Sequence, residues 1–198
     1  MGTQDVATAP PPQLIVVGAS GDLTQRKLVP ALVALAAQGT PPAGFTVVGV
    51  ARRPKTDEAF RAELRAALPE ADHAAFDALA PRIYYVAGDI AEPASIDALS
   101  TRLDALPGGR TTGRLYYLAL KPELFAPAVR ELGRAGLLST REGERRAWRR
   151  VVVEKPFGHD LASARTLNHD LHEVLYEEQI FRIDHYLGKE TVQNMLAL

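Results

Sequence analysis

The chain alternates between short apolar runs and longer stretches with helical spacing. Leu14 to Val17 is a continuous apolar run with prolines before it and glycine after it, the mark of a strand buried on both faces. Phe45 to Val50, Ile83 to Ala87, Leu115 to Leu120 and Arg150 to Val153 repeat that mark, so five strands are predicted. Between them the apolar positions change period. Leu28, Val29, Leu32, Val33 and Leu35 share a helix face, as do Phe60, Leu64 and Leu68 within Thr56 to Leu68. Further helices are predicted over Ala71 to Leu79, Pro93 to Leu106, Glu123 to Arg134 and Leu161 to Leu175, the last capped by Asp160. Trp148 is placed to anchor the fifth strand. Each of the first four strands is followed by helix, which predicts an α/β fold with a doubly wound parallel sheet.

Composition narrows the classes. Of 198 residues, 46% are hydrophobic and 24% charged, enough for a substantial core under a solvated surface. Lys and Arg number 23 against 24 Asp and Glu, a formal charge of -1, so no general nucleic-acid or membrane surface is expected. The sequence has no cysteine, which excludes disulfides and thiol catalysis and fits a cytoplasmic location. Residues 1–12, polar and rich in Pro and Ala, are expected to be a disordered leader. No apolar run approaches the length needed to cross a bilayer.

The first strand leads into Gly18-Ala-Ser-Gly21 and then a helix. Glycines there allow a tight turn, and backbone amides with the positive helix end converge on one spot suited to phosphate. The spacing G-x-x-G-x-x-T departs from the dinucleotide fingerprint, and a ligand-free strand-to-helix turn is the alternative. The second strand ends in Arg52-Arg53 with no carboxylate directly after it. Arginine suits a 2′-phosphate where an acid would suit a bare ribose, so NADP is the expected cofactor, with NAD not excluded. Two solvated surface arginines are the plainer alternative. Asp89 ends the third strand and either meets ligand or caps the next helix. From Gln179, the chain carries Arg182, Asp184, His185, Tyr186 and Lys189 close together. They either grip an anionic substrate or form an ordinary strand-to-helix corner. His169 and His172 share a helix face, but the Glu-containing zinc motif is absent, and no metal is expected.

Three motifs together resemble one family. Gly-Ala-Ser-Gly-Asp-Leu at 18–23, Val-Glu-Lys-Pro-Phe-Gly at 153–158 and Arg-Ile-Asp-His-Tyr-Leu-Gly-Lys-Glu at 182–190 look like glucose-6-phosphate 1-dehydrogenases. The resemblance implies a Rossmann-like NADP-binding domain over 13–178 and, over 179–198, the start of a truncated second α+β domain. It implies oxidation of glucose 6-phosphate at C1 to the 1,5-lactone, the first oxidative step of the pentose phosphate pathway. By the same resemblance Gly18, Ala19, Ser20, Gly21, Asp22, Leu23, Thr24 and Gln25 line the pyrophosphate, and Arg52 with Arg53 binds the 2′-phosphate. Asp89 and Ile90 border the adenosine, and Phe125 lies near the nicotinamide. Lys155 reaches cofactor and sugar, His185, Tyr186 and Lys189 hold the sugar and its phosphate, and Asp184 orients a catalytic histidine. That histidine is expected beyond Leu198, so these residues are expected to bind cofactor with little turnover. Lys121 departs from the family pattern after the fourth strand. Family members are commonly homo-oligomers through the second domain, and a monomer is possible without it. The rivals are a glucose–fructose-oxidoreductase-like dehydrogenase of free sugars, which also carries Glu-Lys-Pro, and a non-catalytic NADP-binding module.

Overall fold

Six strands, β1 (Gln13–Val17), β2 (Thr46–Ala51), β3 (Ile83–Ala87), β4 (Arg114–Leu118), β5 (Arg149–Glu154) and β6 (Ile180–Ile183), form one parallel sheet in the order β3-β2-β1-β4-β5-β6. The computed structural model describes residues 10–40, 42–139 and 147–183. Helices α1 (Val29–Ala37), α2 (Asp57–Ala66) and α3 (His73–Leu79) cover one face. Helices α4 (Pro93–Ala105), α5 (Phe125–Arg134) and α6 (Leu161–His172) cover the other. The order reverses between β1 and β4, as in a Rossmann-type doubly wound sheet, and that reversal opens a crevice at the strands' carboxyl ends.

Side-chain alternation divides the core. Leu14 and Val16 pack with Leu32, Phe60 and Phe76 on the α1–α3 face, whereas Ile15 and Val17 pack with Ile96, Leu99 and Phe125 on the α4–α6 face. A strand has a period of two, so a central strand coated on both sides is apolar at successive positions once past its polar first residue. That requirement produced the run from which β1 was read. The count of five strands is corrected to six. The stretch after Gln179, open on sequence between an anion grip and a strand-to-helix corner, contributes β6, with Val151 opposite Ile180 and Glu154 opposite Ile183. Only four residues long, with Arg182 its single polar residue, β6 is too short for its period to show.

The amino ends of the strands are closed by polar groups that satisfy one another. Arg114, 2% exposed, donates to Gln13 Oε1 (2.9 Å), Asp104 Oδ1 (3.0 Å) and the Gly109 carbonyl (2.9 Å). Arg149 donates to the carbonyls of Arg110, Thr112, Ala147 and Trp148. A buried guanidinium is tolerable only when its donors are met in this way. Trp148 does anchor β5: a Cβ on Gly113 would fall 2.2 Å from the indole, and Arg150 lies 4.8 Å over the ring. At the end of the stretch expected to be a leader, the Pro11 carbonyl accepts the Thr112 hydroxyl. Among the described residues no helix is long and apolar enough to cross a membrane.

Candidate functional site

Because all strands are parallel, the loops after β1, β2, β3, β4 and β5 emerge along one edge, and every expected site residue before Gln179 lies on them or just beyond. The first loop is shaped by Gly18. Its φ is +92°, and a Cβ there would sit 2.2 Å from the Ala119 carbonyl, so only glycine lets β1 turn against β4. The amides of Gly18 and Ala19 donate to the Val50 carbonyl (2.9 and 3.0 Å), and that of Gly21 donates to Gly18 (3.0 Å). Two of these donors are spent on β2 and the third inside the bend. The amides of Ser20, Asp22 and Leu23 have no partner among the described residues, and they open the helix that runs through a π-helical segment, Thr24–Leu28, into α1. Three unmet amides at a helix start are the donor set that an anion takes. Ala19 is wholly buried against Gly49, so its role is spacing. Thr24 is buried with its hydroxyl unpaired, and the Gln25 side chain bonds Glu63 (2.7 Å).

Arg52 and Arg53 follow β2 directly. Both are exposed, and neither guanidinium has an ion pair among the described residues. Beside them the Lys55 ammonium is bound to the Glu63 carboxylate, and the Tyr85 hydroxyl meets the carbonyls of Ala51 (3.0 Å) and Arg53 (2.6 Å). Sequence reading missed Lys55, Glu63 and Tyr85. Tyr85 is the middle residue of β3, buried on the α1–α3 face.

Asp89 neither points free nor caps α4. Its carboxylate accepts the Ala91 amide (3.0 Å), and its own amide donates to Ser95 Oγ (3.1 Å), while the cap position of α4 falls to Glu92. The Asp89 side chain therefore holds its own turn. Ile90 is buried in the α4–α6 core, leaving its backbone at the site edge. Phe125 also belongs to that core, with 1% exposure, because the chain makes a short turn over Pro122–Leu124 before α5. Lys121 and Leu124 stand exposed on that turn instead.

Lys155, exposed, follows β5, and its amide donates to the Ile183 carbonyl (3.2 Å); the Lys155–Pro156 peptide is cis. Just before it, the Glu154 carboxylate accepts the hydroxyl of buried Tyr117, a pair sequence reading also missed. Burial, then the hydrogen bond to Glu154 and last its charge, pushes the Tyr117 phenol above its usual range, so it remains a donor at all ordinary pH. His169 and His172 are exposed, and His172 Nε2 lies 2.8 Å from Glu177. Asp184, His185, Tyr186 and Lys189 lie outside the described residues.

Residues 15–194 match the family described as glucose-6-phosphate dehydrogenase, NAD binding domain. The glucose-6-phosphate 1-dehydrogenase of Chlamydia muridarum is 39% identical over 197 residues, covering 96% of this chain and 39% of that protein. Glucose-6-phosphate 1-dehydrogenase 2 of Mycobacterium tuberculosis is 42% identical, covering 96% and 38%. The crystal structure of the Mycobacterium avium enzyme superposes with a TM-score of 0.78 at 37% identity, over 93% of this chain and 38% of the other. A glucose-6-phosphate dehydrogenase in complex with its substrate gives 0.77 at 32% identity, over 98% and 40%. The chain thus spans 39% of the length of the Chlamydia relative.

Proposed function

The chain belongs to the glucose-6-phosphate dehydrogenase family, and from that premise we propose that it is the nucleotide-binding part of an enzyme that oxidises glucose 6-phosphate at C1 with NADP. The observation that carries the cofactor half is the pairing of two features along one edge. A glycine bend presents the amides of Ser20, Asp22 and Leu23, and two arginines without ion pairs among the described residues stand at the next strand's end. Amides at a helix start suit a pyrophosphate, and guanidinium forks suit a 2′-phosphate. The donor set fits the dinucleotide.

When bound, the nicotinamide accepts the hydride released from C1. This chain's residues bind, orient and shield. The bend and the arginines hold the phosphates, and the backbone at Ile90 edges the adenosine. Lys155, at the tip of β5, places fixed positive charge where sugar and cofactor meet, an orienting effect. Asp184 orients the base that takes the C1 hydroxyl proton, since an imidazolium gains from a neighbouring carboxylate. His185, Tyr186 and Lys189 grip the sugar 6-phosphate. These 198 residues alone are expected to bind NADP and reduce little of it.

The test is a dehydrogenase assay on the full-length enzyme, following NADPH absorbance with glucose 6-phosphate and with free glucose. The reading expects turnover of the phosphorylated sugar, lost on Lys155→Ala by orders of magnitude. Equal rates with glucose would instead support a free-sugar dehydrogenase.

A further inference from the structure

Beneath the arginine tip lies a set of polar contacts that no role above uses. Tyr85, 6% exposed, reaches from β3 under the end of β2. Its hydroxyl is 2.6 Å from the Arg53 carbonyl and 3.0 Å from that of Ala51. The Ala51 carbonyl already receives the Gly88 amide at 3.0 Å, so the hydroxyl proton is needed most at Arg53. The ring itself is fixed, tilted at 43° against Phe60 with centroids 4.8 Å apart, and the Lys55 ammonium lies 5.9 Å from its centroid. Lys55 is held in turn by Glu63, which also takes the Gln25 amide from the helix after the glycine bend. A run of three residues, 51 to 53, is thus closed at both ends on a single phenol.

We propose that Tyr85 is a positioning residue for NADP preference: its hydroxyl fixes the backbone from which Arg52 and Arg53 project, without itself touching the nucleotide. The inference rests on the reading of those arginines as the 2′-phosphate site. A guanidinium meets phosphate through a planar fork, so its bonds depend on the direction from which the side chain leaves the backbone. A tip free to move loses conformational entropy on binding, and a tip already held loses less. The bare ribose of NAD makes no such demand, so the benefit falls on NADP alone. Burial, and then the charge of Glu63, raises the phenol's pKa, and Tyr85 therefore stays a donor through neutral pH.

Tyr85→Phe removes the hydroxyl and leaves the ring against Phe60. Calorimetric titration with NADP and with NAD, on wild type, on Tyr85→Phe, and on both in an Arg52→Ala/Arg53→Ala background, decides the matter. Loss of one hydrogen bond weakens NADP binding by about five-fold and leaves NAD binding within about two-fold. With the arginines gone, Tyr85→Phe has no further effect on either nucleotide, because the residue acts through them. Equal weakening of both nucleotides, unchanged NADP binding, or a loss that persists without the arginines would overturn the proposal. A wild-type chain that binds both nucleotides equally would instead sink the arginine reading, and this inference with it.

Discussion

Gly18 shows how much one residue can decide. A methyl group there meets the Ala119 carbonyl at 2.2 Å on a backbone with φ of +92°, so neither space nor conformation accommodates it. Gly18→Ala is expected to cost about 3 kcal/mol of stability by urea unfolding and to remove NADP binding. An unchanged unfolding midpoint would mean the bend is not built as described. Tyr117→Phe tests a second residue. It leaves the half-buried Glu154 carboxylate without its phenol donor, at an expected cost of about 1–3 kcal/mol. At this scale the sequence was legible where chemistry is carried by residue type: Gly18 for the turn, Arg52 and Arg53 for charge. It was not legible where a role depends on a partner distant in the chain. Nothing near Tyr85 in sequence announces the Arg53 carbonyl, and nothing near Gln25 announces Glu63.

At the scale of elements, periodicity located the first five strands and the helices within a few residues, because burial on two faces forces it. β6 escaped because four residues at the sheet's edge carry little pattern. Asp89 shows the opposite failure. Its position before a helix invites a cap, yet the turn it closes on Ala91 competes for the same carboxylate. Asp160, by contrast, caps α6 as expected, accepting the Ser163 amide at 2.8 Å. The amino-end clamp on β1 and β4 makes a pH prediction. Burial alone would raise the Asp104 carboxyl, but hydrogen bonds from Arg110 and Arg114 outweigh it and hold the pKa below the ordinary 3.8. A depressed folded-state pKa contributes stability that is fully present above 3.8 and is lost as pH falls through the lower folded value. Asp104→Asn should therefore be less stable than wild type at neutral pH, with the difference closing in strong acid. A difference that stays constant with pH in urea unfolding would exclude this role.

For the whole molecule, the parallel sheet matters because it brings loops far apart in the chain to one edge. The glycine bend, the arginine tip, the turn at Asp89 and Lys155 come from four separate strands, and the parallel order β3-β2-β1-β4-β5-β6 sets them along one edge. The motif at 182–190 carried the family resemblance most specifically, and its chemistry lies almost wholly outside the described residues. The proposed nucleotide half of the site therefore rests on geometry, and the proposed sugar half on family membership. The most direct test is a calorimetric titration of this chain with NADP and with NAD. The account predicts that NADP binds more tightly by at least about ten-fold and that Arg52→Ala/Arg53→Ala erases the difference. No binding of either nucleotide, or equal affinity for both, would contradict it.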